Sequence, residues 1–293
     1  MNELVSIIIP TYNTNDSLER AINSVLSQTY KNVEIIVVDD NGKGTIGNVN
    51  AKRIVGKYKK NSNVKYYEHE KNINGSAARN TGFKNSLGKF IGFLDDDDEF
   101  FNTKIELQIK ELIKSNNDLC VCYYKKNNKV IKFSSLDITK NILMLNNVPQ
   151  TSSFIMKREL YKRLNGFDES YIRHQDFEFL IRAAEIAGIS VVKDCLYERH
   201  DNGVNNIPNP EKMERVKDKF LLQFDYLIKK YGLSRKLVYG KNYGYVSFLY
   251  LKNKKIEKAF QVMIYKGNFT CVYFLAERII IGIVNKIWLK FRR

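Results

Sequence analysis

Three apolar stretches of this chain run directly into side chains able to do chemistry. Val5–Pro10 leads into Thr11, Tyr12 and Asn13, and Val33–Val38 leads into Asp39, Asp40 and Asn41. Phe90–Leu94 leads into Asp95, Asp96, Asp97, Asp98 and Glu99. In an open α/β sheet, ligands bind beyond the carboxyl ends of the strands. Carboxylates gathered there repel one another unless a cation or a donor-rich ligand compensates. A hard divalent cation that takes oxygen ligands and bridges phosphates fits that need. An acidic run by itself is more often a solvated loop; this one follows an apolar strand without a break, which favours the metal–phosphate reading.

The elements that must position these residues are legible in the periodicity. Val5–Pro10 and Val33–Val38 are continuous, β-branched runs of the kind buried on both sheet faces. Between them Leu18, Ala21, Ile22, Val25 and Leu26 recur at helical spacing behind the cap candidates Asn15, Asp16 and Ser17. Strand, helix and strand with short loops make a right-handed unit in a parallel sheet. Further helices are expected over about 46–59, 76–86 and 105–113, and a third strand at Val64–Tyr67. The pattern then changes. Leu119–Tyr124 and Val130–Phe133 flank Asn127-Asn128 and read as a hairpin. Ser152–Met156 and Ile189–Val192 read as strands, with a short helix over Arg158–Leu164. Asp176–Ala187 reads as a helix with Phe177, Leu180, Ile181 and Ala184 on one face.

Composition excludes several classes. The 293 residues hold 48 Lys/Arg and 32 Asp/Glu, a net charge of +16, and 44% are hydrophobic, enough for a large core. Four cysteines, with no C-x-x-C pair, make neither a disulfide scaffold nor a zinc ribbon and fit a reducing cytosol. The apolar run near Met1 is too short for a signal peptide, so no export is expected. The charge is unevenly placed. Residues 1–211 hold 29 Lys/Arg against 27 Asp/Glu, a net of +2, whereas 212–293 hold 19 against 5, a net of +14. The turn-rich stretch Asp201–Pro210 marks the break. Two regions are therefore expected, 1–205 and 206–293, the second helical, basic and aromatic. Its last segment, about Phe269–Phe291, is apolar except for a polar stripe through Thr270, Glu277, Arg278, Asn285, Lys286, Arg292 and Arg293.

The ordered set VSIIIPTYN, SVLSQTY, VEIIVVDDN, GSAARNTG and FIGFLDDDDEF resembles family 2 glycosyltransferases of the GT-A fold. SFIMKRELYKRLNGFDE, HQDFEFLIRA and YERH continue the likeness to about residue 200. The resemblance implies a Rossmann-like α/β domain, its central sheet mostly parallel with helices on both faces. It implies that Pro10, Thr11, Tyr12 and Asp40 hold the nucleotide base, with Tyr12 stacking and Asp40 accepting from a base N–H. Arg79 matches a basic residue near the nucleotide. Asp95 and Asp97 match the family's D-x-D, Asp95 facing the ribose or metal and Asp97 binding a Mn²⁺ or Mg²⁺ ion; Asp96 is counted with Asp95 among the nucleotide-sugar-binding residues, and Asp96 and Asp98 leave the register open by one residue. His200 matches a histidine near the diphosphate or metal. Asp176 matches the catalytic base. Two positions depart from the pattern: Gly42 stands where a serine is usual, and Gln175 where a glutamate is common.

The implied reaction is inverting transfer of a hexose or N-acetylhexosamine from a UDP-sugar, with one base and one displacement. A tension attends Asp176, since a carboxylate in the first turn of a helix has its pKa lowered by the dipole. Burial or contact with the acceptor must offset this. The basic tail fits an anionic membrane surface, with a lipid-linked saccharide as acceptor and a place at the inner face of the cell membrane. Glu277 and Arg278 make a spanning helix costly. Packing on the catalytic domain, or on a second subunit in a homo-oligomer, is the alternative for the same apolar faces. A nucleotidyltransferase would show a Gly-rich basic loop after the first strand, and PTYNTND has neither Gly nor Lys. A nucleic-acid binder would place its charge on the region with the site, which is nearly neutral. A non-catalytic sugar-nucleotide binder would not need Asp97 and Asp176.

Overall fold

Val5–Thr11 (β1) and Val33–Asp39 (β2) are buried along almost their whole length, and they pair in parallel register with Val5 opposite Val33. Ser17–Leu26 (α1) covers one face with Leu18, Ala21 and Ile22 wholly buried, as its spacing requires. The computed structural model describes residues 3–133, 138–200 and 209–276. The turn stretch 201–208 and the apolar segment beyond 276, with its stripe from Glu277 to Arg293, lie outside the described residues.

The chain divides into two compact units, Met1–Thr139 with Asn147–Val204, and Lys140–Asn146 with Asn205–Arg293. In the first, Val64–Glu68 (β3) and Phe90–Phe93 (β4) flank β2 and β1, giving the parallel order β3-β2-β1-β4. Ile46–Gly56 (α2) follows β2, and Gly75–Lys84 (α3) follows β3. A Cβ at Gly82 of α3 would lie 2.4 Å from Ile8 Cγ2 of β1, so helix and strand approach closely only because this residue has none.

Beyond β4 the sheet becomes mixed. Asp98–Phe100 (β5) lies inside the acidic run, and Lys104–Ser115 (α4) follows it. Leu119–Lys126 (β6) and Lys129–Ile131 (β7) form the expected hairpin, with Asn127 and Asn128 both at positive φ as a two-residue turn of this hand demands. After Ile138–Leu143 (α5), which sequence periodicity did not reveal, come Ile155–Lys157 (β8), Arg158–Arg163 (α6), Gln175–Ile186 (α7) and Ile189–Arg199 (β9).

Three local expectations are corrected. Ser152 and Ser153 are not strand: Thr151–Ser153 is a 3-10 turn, in which Ser153 Oγ donates to the Gln150 carbonyl (2.6 Å). Such local side-chain bonds compete with a ladder. The last strand does not stop at Val192 but runs to Arg199. Its register against β6 shifts between Cys122 and Tyr124, and past the exposed Lys193 and Asp194 it recovers a buried Leu196 and Tyr197. The inward face of α7 is carried by Phe179, Leu180, Ile181 and Ala183, whereas Phe177 and Ala184 are only half-buried.

The second unit is helical among the described residues. Pro210–Lys230 (α8) and Arg235–Lys252 (α9) bury Phe220, Phe224, Leu227, Val238, Val246 and Leu249. Lys217 is wholly buried and donates to Asn242 Oδ1 (2.7 Å), while Asn242 Nδ2 donates to the Leu143 and Val238 carbonyls. Ile256–Val262 (α10), a π-helical turn at Met263–Gly267 and a helical stretch over 270–276 complete it. All four cysteines are free.

Candidate active site at the strand ends

The ends of β1, β2 and β4 are tied together by their own polar side chains. Asp39 Oδ1 accepts from the Asn41 amide N–H (2.8 Å) and Asn41 Nδ2 (2.7 Å), and Asn41 Nδ2 also donates to Thr14 Oγ1 (2.7 Å). Thr14 and Thr11 share a hydroxyl–hydroxyl bond of 2.7 Å, and Thr11 Oγ1 donates to Asp96. Asp39 is completed on its other oxygen by Tyr66 (2.6 Å) and Asn48 (2.8 Å). It is a buried framework group. Pro10 is the penultimate residue of β1 and Thr11 its last, and Tyr12 beyond them is 54% exposed, its ring available to a ligand.

Asp40 lies in a separate cluster. Its Oδ1 bonds His69 Nδ1 (2.7 Å) and the Ile73 amide (2.9 Å), and its Oδ2 accepts from Asn72 Nδ2 (2.8 Å). His69 Nε2 reaches Thr81 Oγ1 (2.9 Å). Burial pushes the Asp40 carboxyl above its ordinary value, and the His69 contact only partly offsets this. His69 and Asn72 escaped the sequence reading; the one signal available was their place just after β3.

The acidic run separates into distinct environments. Asp96 turns back to Thr11 and the Tyr12 amide, and burial, with Asp97 and Asp95 nearby, pushes its carboxyl up to about 7. Asp98 begins β5, opposite Arg199 of β9, and accepts from Ser152 Oγ (2.6 Å), while its Oδ1 is buried with no hydrogen-bond partner. Its carboxyl is raised well above the usual range by burial and by Asp95 and Asp97. Asp95 and Asp97 remain at the rim. The Asp95 carboxylate receives Arg79 NH2 (2.6 Å). The Asp97 carbonyl accepts from Arg20 (2.8 Å), and burial with the Asp95 charge raises its carboxyl. Arg199 loses some basicity to burial, but the charges of Asp98 and Asp95 outweigh this and raise its pKa. Arg20, Ser152 and Arg199 were not singled out by sequence.

Arg79 joins this corner to α7. It is 6% exposed, and while NH2 holds Asp95, NH1 donates to Gln175 Oε1 (3.2 Å). A Cβ at Gly75 would sit 2.9 Å from Arg79 NH1, so the first residue of α3 leaves room for the guanidinium. Asp176, next in chain, is half-buried and accepts from the Phe177 amide (3.0 Å). Burial pushes its carboxyl up to about 6, against the pull of the Phe177 N–H and Arg79. Desolvation outweighs the helix-terminus effect expected to lower it. His200, at the end of β9, contacts Glu99 Oε2 (3.1 Å). Among the described residues, no group of three or more His, Cys, Asp or Glu side chains is arranged to hold a metal ion by itself.

A parallel β3-β2-β1-β4 sheet with carboxylates at its strand ends and an antiparallel extension defines a GT-A-like architecture. Solved structures share it. S. aureus TarS 1–349 in complex with UDP-GlcNAc superposes with a TM-score of 0.62 at 20% identity, covering 88% of this chain and 90% of that one. A mannosyltransferase from Pyrobaculum calidifontis with GDP-Man and Mn²⁺ gives 0.56 at 15% identity, covering 95% and 80%. The family model described as Glycosyl transferase family 2 matches residues 6–189, and the chain belongs to that family. An uncharacterised glycosyltransferase of Rickettsia conorii is 42% identical over 44% of this chain. The chain spans only about a fifth of the length of that relative, which is 20% covered. The Escherichia coli UDP-Glc:alpha-D-GlcNAc-diphosphoundecaprenol beta-1,3-glucosyltransferase WfgD is 32% identical over 64% of this chain and 73% of its own. The amylovoran biosynthesis glycosyltransferase AmsB of Erwinia amylovora is 29% identical over 62% and 64%.

Proposed function

We propose that the chain is an inverting glycosyltransferase. It moves a hexose or N-acetylhexosamine from a UDP-sugar to a lipid-linked saccharide, in bacterial surface polysaccharide assembly at the inner face of the cell membrane. The single observation that carries the reading is the Arg79 bridge, which sets the Asp95 carboxylate and the start of α7, with Asp176, around one guanidinium. The activity for which the E. coli relative is named, from UDP-Glc to a diphosphoundecaprenol-linked sugar, supports the donor and acceptor classes. Residues 1–205 form the catalytic part in this reading, and 206–293 the basic part that meets the membrane.

The roles are those the family resemblance implies, and the geometry and charge of the site support them. Tyr12 stacks on the base, Pro10 and Thr11 shape the turn beneath it, and Asp40 with His69 and Asn72 forms a polar wall that selects the base edge. Arg79 orients Asp95 toward the ribose. Asp96 fixes the Thr11–Tyr12 turn rather than reaching the ligand directly. The corner crowded with carboxylates, with Asp98 Oδ1 unpartnered and the Asp97 carboxyl raised, suits a divalent cation, Mn²⁺ or Mg²⁺, which Asp97 and His200 would hold. When bound, such an ion supplies Lewis-acid stabilisation of the departing diphosphate. Asp176, ionised above about pH 6, takes the proton from the acceptor hydroxyl as it attacks the face opposite the leaving group.

Incubation with UDP-sugars and Mn²⁺, following UDP release and product anomer, tests this. Asp97→Ala and Asp176→Ala are each expected to cut turnover by at least about 10²-fold. Undiminished transfer by both variants overturns the residue assignment, and a retained anomeric configuration overturns the single displacement.

A further inference from the structure

Residues 256–276 are apolar on both sides. Ala259, Val262, Met263, Gly267, Cys271 and Phe274 face inward and are buried. Facing outward are Ile256, Phe260 and Ile264, four residues apart, then Tyr265, Phe269, Val272 and Tyr273. Ile264 is 70% exposed, Tyr265 82%, Phe269 95% and Tyr273 70%. A helix that only covers a core keeps its outer side polar, and a contiguous exposed apolar face marks an interaction surface.

We infer that this face lies in the surface of an anionic lipid bilayer. The inference deepens the membrane reading above, and rests on it, by assigning the contact to particular side chains. Charge selects the occupant. Exposed Lys252, Lys254 and Lys258 border the face, and no ion pair among the described residues neutralises them; Glu257 lies beside them, and Glu211 pairs with the neighbouring Lys255. Residues 212–293 carry a net charge of +14, so a second copy on the same face would oppose like charge with like charge. Nucleic acid matches the lysines but has no use for Ile256, Ile264 and Val272. Anionic headgroups match the lysines, and the acyl boundary matches the aliphatic and aromatic side chains. No helix among the described residues is long and apolar enough to cross a membrane.

Sedimentation of the full chain with vesicles tests this, without donor or acceptor present. Wild type is expected to partition onto phosphatidylglycerol-containing vesicles, and much less onto pure phosphatidylcholine. The pair Ile264→Glu and Phe269→Glu is expected to lower partitioning at least about tenfold, as is the triple Lys252→Glu, Lys254→Glu, Lys258→Glu. Tyr265→Ser and Phe269→Ser, at the two most exposed positions, guard against misfolding, with circular dichroism as the check. Equal partitioning of folded variants and wild type overturns the assignment. So does a dimer in vesicle-free buffer that the same variants dissociate. UDP release measured without vesicles, with a diphosphoundecaprenol-linked saccharide supplied in detergent, separates the two readings: its absence with vesicle binding intact defeats the transferase reading alone, and the reverse result defeats this surface alone.

Discussion

Two groups, Asp176 at the start of α7 and Tyr12 beyond β1, hold most of the chemical information. Asp176 has a carboxyl raised by burial to about 6, above the ordinary 3.8 of the unfolded chain. A base of that strength loses activity as pH falls. The rate is expected to drop tenfold per unit below about pH 6 and to level off above it, with the limb absent in Asp176→Asn. The stability sign is opposite. The folded state binds the proton more tightly than the unfolded state, so wild type loses stability as pH rises from about 4 to 6. Asp176→Asn should therefore be more stable than wild type at pH 8, by on the order of 1–3 kcal/mol, and equal to it below pH 4. Thermal melts at the two pH values measure this. Tyr12 makes the second residue-scale prediction. With Tyr12 removed as Ala, UDP affinity should fall by about 1–3 kcal/mol, the worth of one base–aromatic stack, with the Asp176 pH limb unmoved. Isothermal titration with UDP reads the loss.

At the scale of elements, α3 is seated on β1 by the absence of a side chain at Gly82. Gly82→Val is expected to lift that helix and cost about 1–3 kcal/mol, seen as a lower denaturation midpoint. Because Arg79 travels with α3, donor KM should rise in the same variant. The parallel half of the sheet was legible in sequence, because β1 and β2 are buried on both faces and read as unbroken apolar runs. The strand β5 was hidden, because Asp98 and Glu99 have poor strand propensity and pair only through β9. The full length of β9 was hidden for a related reason: the exposed Lys193 and Asp194 interrupt its pattern where the register shifts. Asp40, Asp95, Asp97 and Asp176 could be named from motif order. Their partners His69, Asn72 and Ser152 could not, since ordinary polar residues acquire meaning only from tertiary proximity.

At the scale of the whole molecule, charge and core are partitioned together. The nearly neutral first unit has its own sheet core, and the basic second unit has its own helical core. Two unfolding steps are expected by calorimetry. UDP with Mn²⁺ should shift only the one that belongs to the first unit, by about 2.7 kcal/mol at a hundredfold excess over Kd. A single transition that moves as a whole contradicts this. The sheet order also fixes when the site comes into being. The acidic corner at β5 is closed by β9, and the Glu99–His200 contact spans 101 residues of sequence. At ribosomal speeds of about 5–20 residues per second, the four parallel strands are made several seconds before the strand that completes the corner. Until β9 emerges the newborn chain can pair β3, β2, β1, β4 and β8 while β5 has no partner strand, so the acidic corner is still open and catalytic competence arrives late in synthesis.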